Sequence, residues 1–131
     1  MENRKTVMVV DDQDQIVDLM KRMLSLEGYE VIDGYSGEAA LYLNERFPFP
    51  IHLLITDVRM SPGMNGCDLA KAMRTLRPEI KILYISAYPG DDRVSEEVKA
   101  GTAEYLKKPF SFRDLIGKVE MILAPDTQFQ L

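Results

Sequence analysis

Acidic side chains stand at the ends of two hydrophobic runs of this chain. Asp57 closes the run 52–56, and Asp11 and Asp12 follow the run 6–10. Hydrophobic runs of this length, bounded by turn-prone residues, are typical of buried parallel strands. Ligands of an open α/β sheet bind at the carboxyl ends of its strands. If the two strands are neighbours, the three carboxylates therefore converge at one edge of the sheet.

This carboxylate cluster predicts a metal site. Like charges that are held close together repel each other, and a bound cation removes the repulsion. Ligand sets made only of oxygen atoms suit a hard divalent ion, usually Mg²⁺. The single cysteine, Cys67, rules out a cysteine-based cluster, and we interpret it as a packing residue of a helix.

Two later strand ends carry a hydroxyl and an ammonium group. Ser86 follows the run 81–85, and Lys108 follows the run 104–107. A lysine at such an edge offers a compact positive charge to a phosphoryl group. The residue before a proline is held extended, and X-Pro bonds sometimes adopt the cis form, so Lys108-Pro109 is suited to a tight turn.

The elements that position these groups alternate five times between strand and helix. We predict strands at about 6–10, 29–33, 52–56, 81–85 and 104–107, and helices at about 13–27, 37–47, 65–76, 92–100 and 111–124. Leu19 and Leu76 are assigned to buried helical stripes, and Glu97 to a solvated helix face. The alternation predicts an α/β fold, with one doubly wound parallel sheet covered by helices on both faces.

Composition limits the classes of protein. A length of 131 residues predicts one domain at 1–124, followed by a tail or linker stub at 125–131. The net charge of −5 argues against nucleic-acid binding by this domain, because such binding needs a basic face. No apolar stretch approaches the ~20 residues of a membrane span. The N-terminus also lacks the apolar core of a signal peptide, so we expect a cytoplasmic protein without membrane insertion.

Short motifs at these strand ends resemble the receiver domain of bacterial two-component response regulators, over nearly the whole chain. The matching segments are Val9-Val10-Asp11-Asp12, 36–41, Asp57-Val58-Arg59-Met60, Met64-Asn65-Gly66, Ser86-Ala87, Lys99-Ala100-Gly101, Tyr105 and Lys107-Lys108-Pro109-Phe110. The resemblance implies a flavodoxin-like sheet with the strand order 2-1-3-4-5. It also implies that Asp57 accepts a phosphoryl group from a phosphohistidine on a sensor histidine kinase or a phosphotransfer domain.

The resemblance further implies Mg²⁺ at Asp11, Asp12, Asp57 and the backbone carbonyl of Arg59. The residue types agree with this chemistry. An aspartate with an ordinary pKa is ionised at neutral pH, so it attacks without a general base. Phosphoryl transfer mainly needs in-line positioning and charge neutralisation, which Mg²⁺, Lys108 and the Ser86 hydroxyl would supply.

Two further roles follow from the resemblance. Ser86 moves together with an aromatic switch residue, whose position Tyr105 occupies, and the Tyr105 ring is expected to turn from exposed to buried. This movement would alter the surface of the fourth helix, fifth strand and fifth helix, which is also a possible homodimer surface. Arg59 and Tyr88 flank the approach of water to the acyl phosphate. Both side chains are bulky, so slow self-dephosphorylation is expected.

One departure and two alternatives accompany this interpretation. Ser61 makes the loop after Asp57 one residue longer than the common pattern of the family. An aspartyl-nucleophile phosphatase could use the acidic residues after the first strand, and a flavin-binding electron carrier shares the predicted fold. We expect no enzyme beyond a domain that catalyses its own phosphorylation and dephosphorylation. It would be either a stand-alone regulator or the receiver of a hybrid sensor kinase.

Overall fold

A computed structural model describes residues 4–87 and 91–125. Tyr88, to which the sequence assigns a role in dephosphorylation, lies outside the described residues, as does most of the predicted tail. No helix within the described ranges is long and apolar enough to cross a membrane.

Strands and helices alternate along the chain as the hydrophobic pattern predicts. The strands are β1 (Thr6–Val10), β2 (Glu30–Gly34), β3 (Leu53–Asp57), β4 (Lys81–Ser86) and β5 (Glu104–Lys107). The helices are α1 (Asp14–Leu26), α2 (Gly37–Arg46), α3 (Gly66–Leu76), α4 (Asp92–Ala100) and α5 (Phe112–Leu123). All strand pairs are parallel, in the order β2-β1-β3-β4-β5, so the predicted fold class and strand order are confirmed. Each predicted boundary lies within a residue or two of the observed one.

The sheet separates two hydrophobic layers. On one face α1 and α5 cover alternate residues of the central strands, with Met20 and Leu115 fully buried. On the other face α2, α3 and α4 cover the remaining strand residues, including Leu54 and Tyr84. Because β1, β3 and β4 are apolar on both sides, they form the rigid centre of the molecule and hold their carboxyl ends in fixed positions.

Local signals explain where several helices begin. Ser36 caps α2 by accepting a hydrogen bond from the backbone of Ala39. Ser111 and Asp114 form the predicted capping box of α5. Asn65 and Asp68 form a second capping box at the start of α3, which was not predicted from the sequence. Such caps satisfy backbone N–H groups that have no partner inside the helix.

Two leucines assigned to buried stripes are exposed instead. Leu19 is 42% exposed and Leu76 is 58% exposed. The buried stripe of α1 runs through Val17, Met20 and Leu24, and a residue two positions after Val17 points to the opposite side of a helix. Leu76 is the last residue of α3, beyond Met73, the last residue of that helix to be fully buried.

The assignment of Glu97 to a solvated helix face is also wrong. Its carboxylate accepts a hydrogen bond from the hydroxyl of Tyr84, with 3.0 Å to each carboxylate oxygen, and it pairs with Arg74 at 2.5 Å. Tyr84 is fully buried, and this burial raises the pKa of its hydroxyl far above the usual range. Glu97 therefore joins α4 to β4 and α3, because a buried hydroxyl needs a partner.

Candidate functional site

The carboxyl ends of β1 and β3 bring the predicted carboxylates together. These strands are neighbours, with Val10 opposite Thr56, so Asp11 and Asp57 lie side by side at the sheet edge. Oxygen atoms of Asp11, Asp12 and Asp57 all lie within 4.8 Å of one another. Asp11 is fully buried, Asp57 is 7% exposed and Asp12 is open to solvent. The cluster therefore has a buried base and an open side.

Lys108 inserts its ammonium group among these carboxylates. Its Nζ lies 2.8 Å from Asp11 Oδ2 and 3.5 Å from Asp57 Oδ1. It also donates to Gln13 Oε1 at 3.5 Å, and the backbone N–H of Gln13 donates to Asp11 Oδ1 at 2.9 Å. Gln13 was not among the predicted site residues, although its position directly after the acidic pair places it at this edge.

Burial controls the charge of both buried carboxyl groups. It raises the pKa of Asp57 to about 6, and the negative charge of Asp11 adds to this effect while Lys108 opposes it. Burial likewise raises the pKa of Asp11, and Lys108 is the main opposing influence. One ammonium group thus does not fully compensate the carboxylates that surround it.

The residues present fit a hard divalent cation. Asp11 Oδ2 is buried, and apart from its ion pair with Lys108 at 2.8 Å it has no hydrogen-bond partner among the described residues. Asp12 and Asp57 offer further carboxylate oxygens within reach of the same point. Oxygen ligands and uncompensated negative charge are what Mg²⁺ requires. The chemistry of the donor set therefore agrees with the expected cofactor.

Ser86 lies beside this cluster, at the end of β4. It is 2% exposed, and its backbone carbonyl accepts hydrogen bonds from the Tyr105 hydroxyl and from the Lys108 backbone N–H, both at 3.0 Å. The Tyr105 ring is half-buried, whereas an exposed ring was expected before phosphorylation. One carbonyl thus connects the proposed switch residue to the strand end that carries Lys108.

The loop between β3 and α3 reaches the open side of the cluster and contacts its exposed carboxylate. Arg59 is exposed in this loop, and the backbone N–H of Ser61 donates to Asp12 Oδ2 at 3.3 Å. Ser61-Pro62 and Lys108-Pro109 are both cis. The extra residue therefore places a backbone donor on the exposed carboxylate of the cluster.

Comparison with known proteins identifies the family. The sequence profile of the response regulator receiver domain matches residues 7–120. The chain belongs to this family. The receiver domain is 31% identical to the response regulator SaeR of Staphylococcus aureus over 118 residues, which are 90% of this chain and 50% of SaeR. This match favours a receiver over the phosphatase and the flavin carrier.

Solved structures agree with the assignment. The response regulator TrrA of Thermotoga maritima, solved in complex with Mg²⁺-BeF, is 34% identical, with a TM-score of 0.73 over 91% of this chain and 99% of TrrA. The receiver domain of the hybrid histidine kinase CckA is 30% identical, with a TM-score of 0.76 over 90% of this chain and 98% of the other. This receiver domain spans about half the length of the curated relatives that it matches.

Proposed function

We propose that Asp57 is the phosphoacceptor of this receiver domain. The observation that carries the proposal is the convergence of Asp57, Asp11 and Asp12 around the Lys108 ammonium group at one end of the sheet. The donor is a phosphohistidine on a sensor histidine kinase or a phosphotransfer domain. Asp57 suits this role because it is held by a buried strand yet retains slight exposure on the open side of the cluster.

The transfer needs little covalent chemistry from the protein. An ionised Asp57 oxygen attacks the phosphorus in line, the bond from phosphorus to the imidazole nitrogen breaks, and that nitrogen keeps the electron pair. Asp11, Asp12, Asp57 and the backbone carbonyl of Arg59 would hold Mg²⁺, and the bound ion would supply positive charge that neutralises the phosphoryl oxygens. Once the acyl phosphate has formed, the Lys108 ammonium group leaves Asp11 and pairs with the more highly charged phosphoryl group. The Ser86 hydroxyl donates a hydrogen bond to the same phosphoryl group.

The output is a change of surface. Lys108 and Tyr105 both hydrogen-bond to the backbone carbonyl of Ser86, so a movement of Ser86 and Lys108 towards the acyl phosphate disturbs the Tyr105 contact. The affected surface is formed by α4, β5 and α5, and it is the candidate site for a downstream protein or a second receiver. The domain acts in the cytoplasm without binding nucleic acid or inserting into a membrane. It catalyses its own phosphorylation and dephosphorylation only.

Phosphorylation of the isolated domain tests the proposal directly. Acetyl phosphate and Mg²⁺ should add one phosphoryl group to the wild type and none to Asp57→Asn, as read by intact mass. Asp92→Asn is a matched control because it removes an exposed carboxylate from α4, and it should be modified like the wild type. Full modification of Asp57→Asn under the same conditions would contradict the assignment.

The lifetime of the acyl phosphate depends on Arg59 and Tyr88. Both are bulky, and Arg59 can pair with the phosphoryl oxygens, so neither orients a water molecule for attack. Decay after removal of the donor should be slow, on a scale of minutes or longer. The double variant Arg59→Asn and Tyr88→Ala should decay several-fold faster, and an unchanged or slower decay would refute the steric explanation.

A further inference from the structure

Two residues at the start of α2 contact the β3–α3 loop, whose backbone reaches the exposed carboxylate of the metal cluster, Asp12. Glu38 Oε2 accepts a hydrogen bond from the backbone N–H of Met64 at 3.2 Å, across 26 residues of sequence. The Met64 side chain lies against Gly37, where an added Cβ would overlap Met64 Cγ. The end of the loop is therefore held in place by contacts to both the backbone and the side chain of Met64.

Gly63 allows this close approach. Its φ of +103° lies in the left-handed region that favours glycine, and an added Cβ would lie 2.8 Å from Glu38 Oε2. The other end of the same short loop reaches the metal cluster, where the Ser61 N–H donates to Asp12 Oδ2. Between Ser61 and Met64 there are only Pro62 and Gly63, so the position of one end constrains the other.

We infer that Glu38 is a positioning residue for the metal site: by anchoring Met64 and Gly63 it holds the Ser61 N–H on Asp12 and fixes this exposed ligand in its binding orientation. The inference rests on the proposed Mg²⁺ site. The loop is one residue longer than the common receiver pattern, and the hydrogen bond from Met64 to Glu38 attaches it to a helix outside the loop. Without the Glu38 contact, we expect the Ser61 N–H to move away from Asp12, so that this exposed carboxylate loses its backbone donor.

Glu38 carries a negative charge as well as a hydrogen-bond acceptor, and the two effects can be separated. Glu38→Gln keeps an acceptor oxygen but removes the charge, whereas Glu38→Ala removes both. Glu45→Ala is a matched control, because Glu45 is also exposed on α2 and pairs with Arg46 rather than with the loop. Asp12→Ala serves as the reference for loss of a ligand.

Two measurements read the effect. Mg²⁺ titration followed by amide resonances should show a dissociation constant about threefold higher for Glu38→Ala, as expected for one exposed hydrogen bond. Glu38→Gln and Glu45→Ala should match the wild type. In metal-free protein, the Ser61 amide proton should exchange with solvent faster in Glu38→Ala and in Asp12→Ala than in Glu38→Gln.

The outcomes separate this inference from the proposed function. Equal weakening in Glu38→Gln and Glu38→Ala, or in Glu45→Ala, would show a charge effect and overturn the positioning role. Unchanged Mg²⁺ affinity and Ser61 exchange in Glu38→Ala would overturn it as well. If Asp12→Ala binds Mg²⁺ like the wild type, the proposed metal site fails, and Ser61 exchange still decides whether Glu38 positions the loop.

Discussion

Replacement of Asp57 by asparagine should stabilise the metal-free protein. Burial and the charge of Asp11 raise the pKa of Asp57 from 3.8 to about 6. The folded protein therefore holds a proton on Asp57 in a pH range where the unfolded chain has released it, and the ionised group destabilises the fold at neutral pH. Asparagine has nearly the same shape as aspartate but no charge, so Asp57→Asn removes the destabilising charge and leaves the packing intact.

The magnitude follows from the shift. A difference of about two pKa units, at 1.36 kcal/mol for each unit, sets an upper limit of about 3 kcal/mol for the gain in the free energy of unfolding. Small movements of Lys108 that relieve the repulsion in the wild type reduce the gain, so we expect about 1 to 3 kcal/mol. Because the pKa of Asp57 is raised on folding, the difference in stability develops between the pKa of the unfolded chain and that of the folded protein. Wild-type stability falls relative to the variant as pH rises from about 4 to about 6, and the gain should disappear below about pH 4.

Urea unfolding followed by circular dichroism is a suitable assay, because the chain contains no tryptophan. The wild type and Asp57→Asn are compared in EDTA across this pH range, with Asp92→Asn as the exposed control. Saturating Mg²⁺ should narrow the difference in the free energy of unfolding between the two proteins, because Mg²⁺ binding stabilises the wild type more than a variant that lacks one ligand. Equal stability in EDTA at neutral pH, or a gain that does not change with pH, would refute the electrostatic reasoning.

Three other substitutions test separate contacts. Lys108→Ala should destabilise the metal-free protein by about 2 to 4 kcal/mol, since it leaves a fully buried carboxylate without its counter-charge, and Mg²⁺ should restore part of the loss in urea unfolding. Arg77 donates to the carbonyl oxygens of Phe47 and Phe49 at 2.7 and 2.8 Å, so Arg77→Ala should lower the urea midpoint by an amount equivalent to about 1 to 3 kcal/mol, with Arg77→Lys in between. His52 Nδ1 accepts a hydrogen bond from a backbone N–H of β1 at 3.0 Å, and burial lowers the pKa of His52 below 6.5. The free energy of unfolding should therefore fall as pH drops through about 6.5, and the urea midpoint of His52→Gln should lack this decrease.

The sequence predicts those parts of the site that depend on strand ends alone. Asp11, Asp57 and Ser86 each end or follow a hydrophobic run, Lys108 follows the short fifth strand, and the parallel fold collects such positions at one edge. This placement needs only the strand periodicity and the alternation of strands with helices. The placement of these side chains at one edge of the sheet could therefore be predicted without any knowledge of how the helices pack.

Contacts between distant loops and helices could not be predicted in this way. Glu38 meets the β3–α3 loop only because α2 and α3 lie side by side, and Glu97 meets Tyr84 only because α4 packs on the sheet face that carries Tyr84. In the sequence both are ordinary acidic residues of an amphipathic helix. Their roles depend on the distances between helices, and no local pattern encodes these distances.

The contacts of α4 limit how the proposed switch can work. Glu97 attaches α4 to Tyr84 and Arg74, while Arg93 pairs with Asp68 at 3.2 Å at the other end of the helix. Moving α4 as a whole would break several of these contacts, including the partly buried ion pair of Glu97 with Arg74 and the hydrogen bond that the buried Tyr84 hydroxyl donates to Glu97. Rotation of the Tyr105 ring breaks one hydrogen bond, to the Ser86 carbonyl. On the proposed mechanism, phosphorylation therefore acts first on Tyr105, because this ring changes position at a smaller cost in free energy than α4 does.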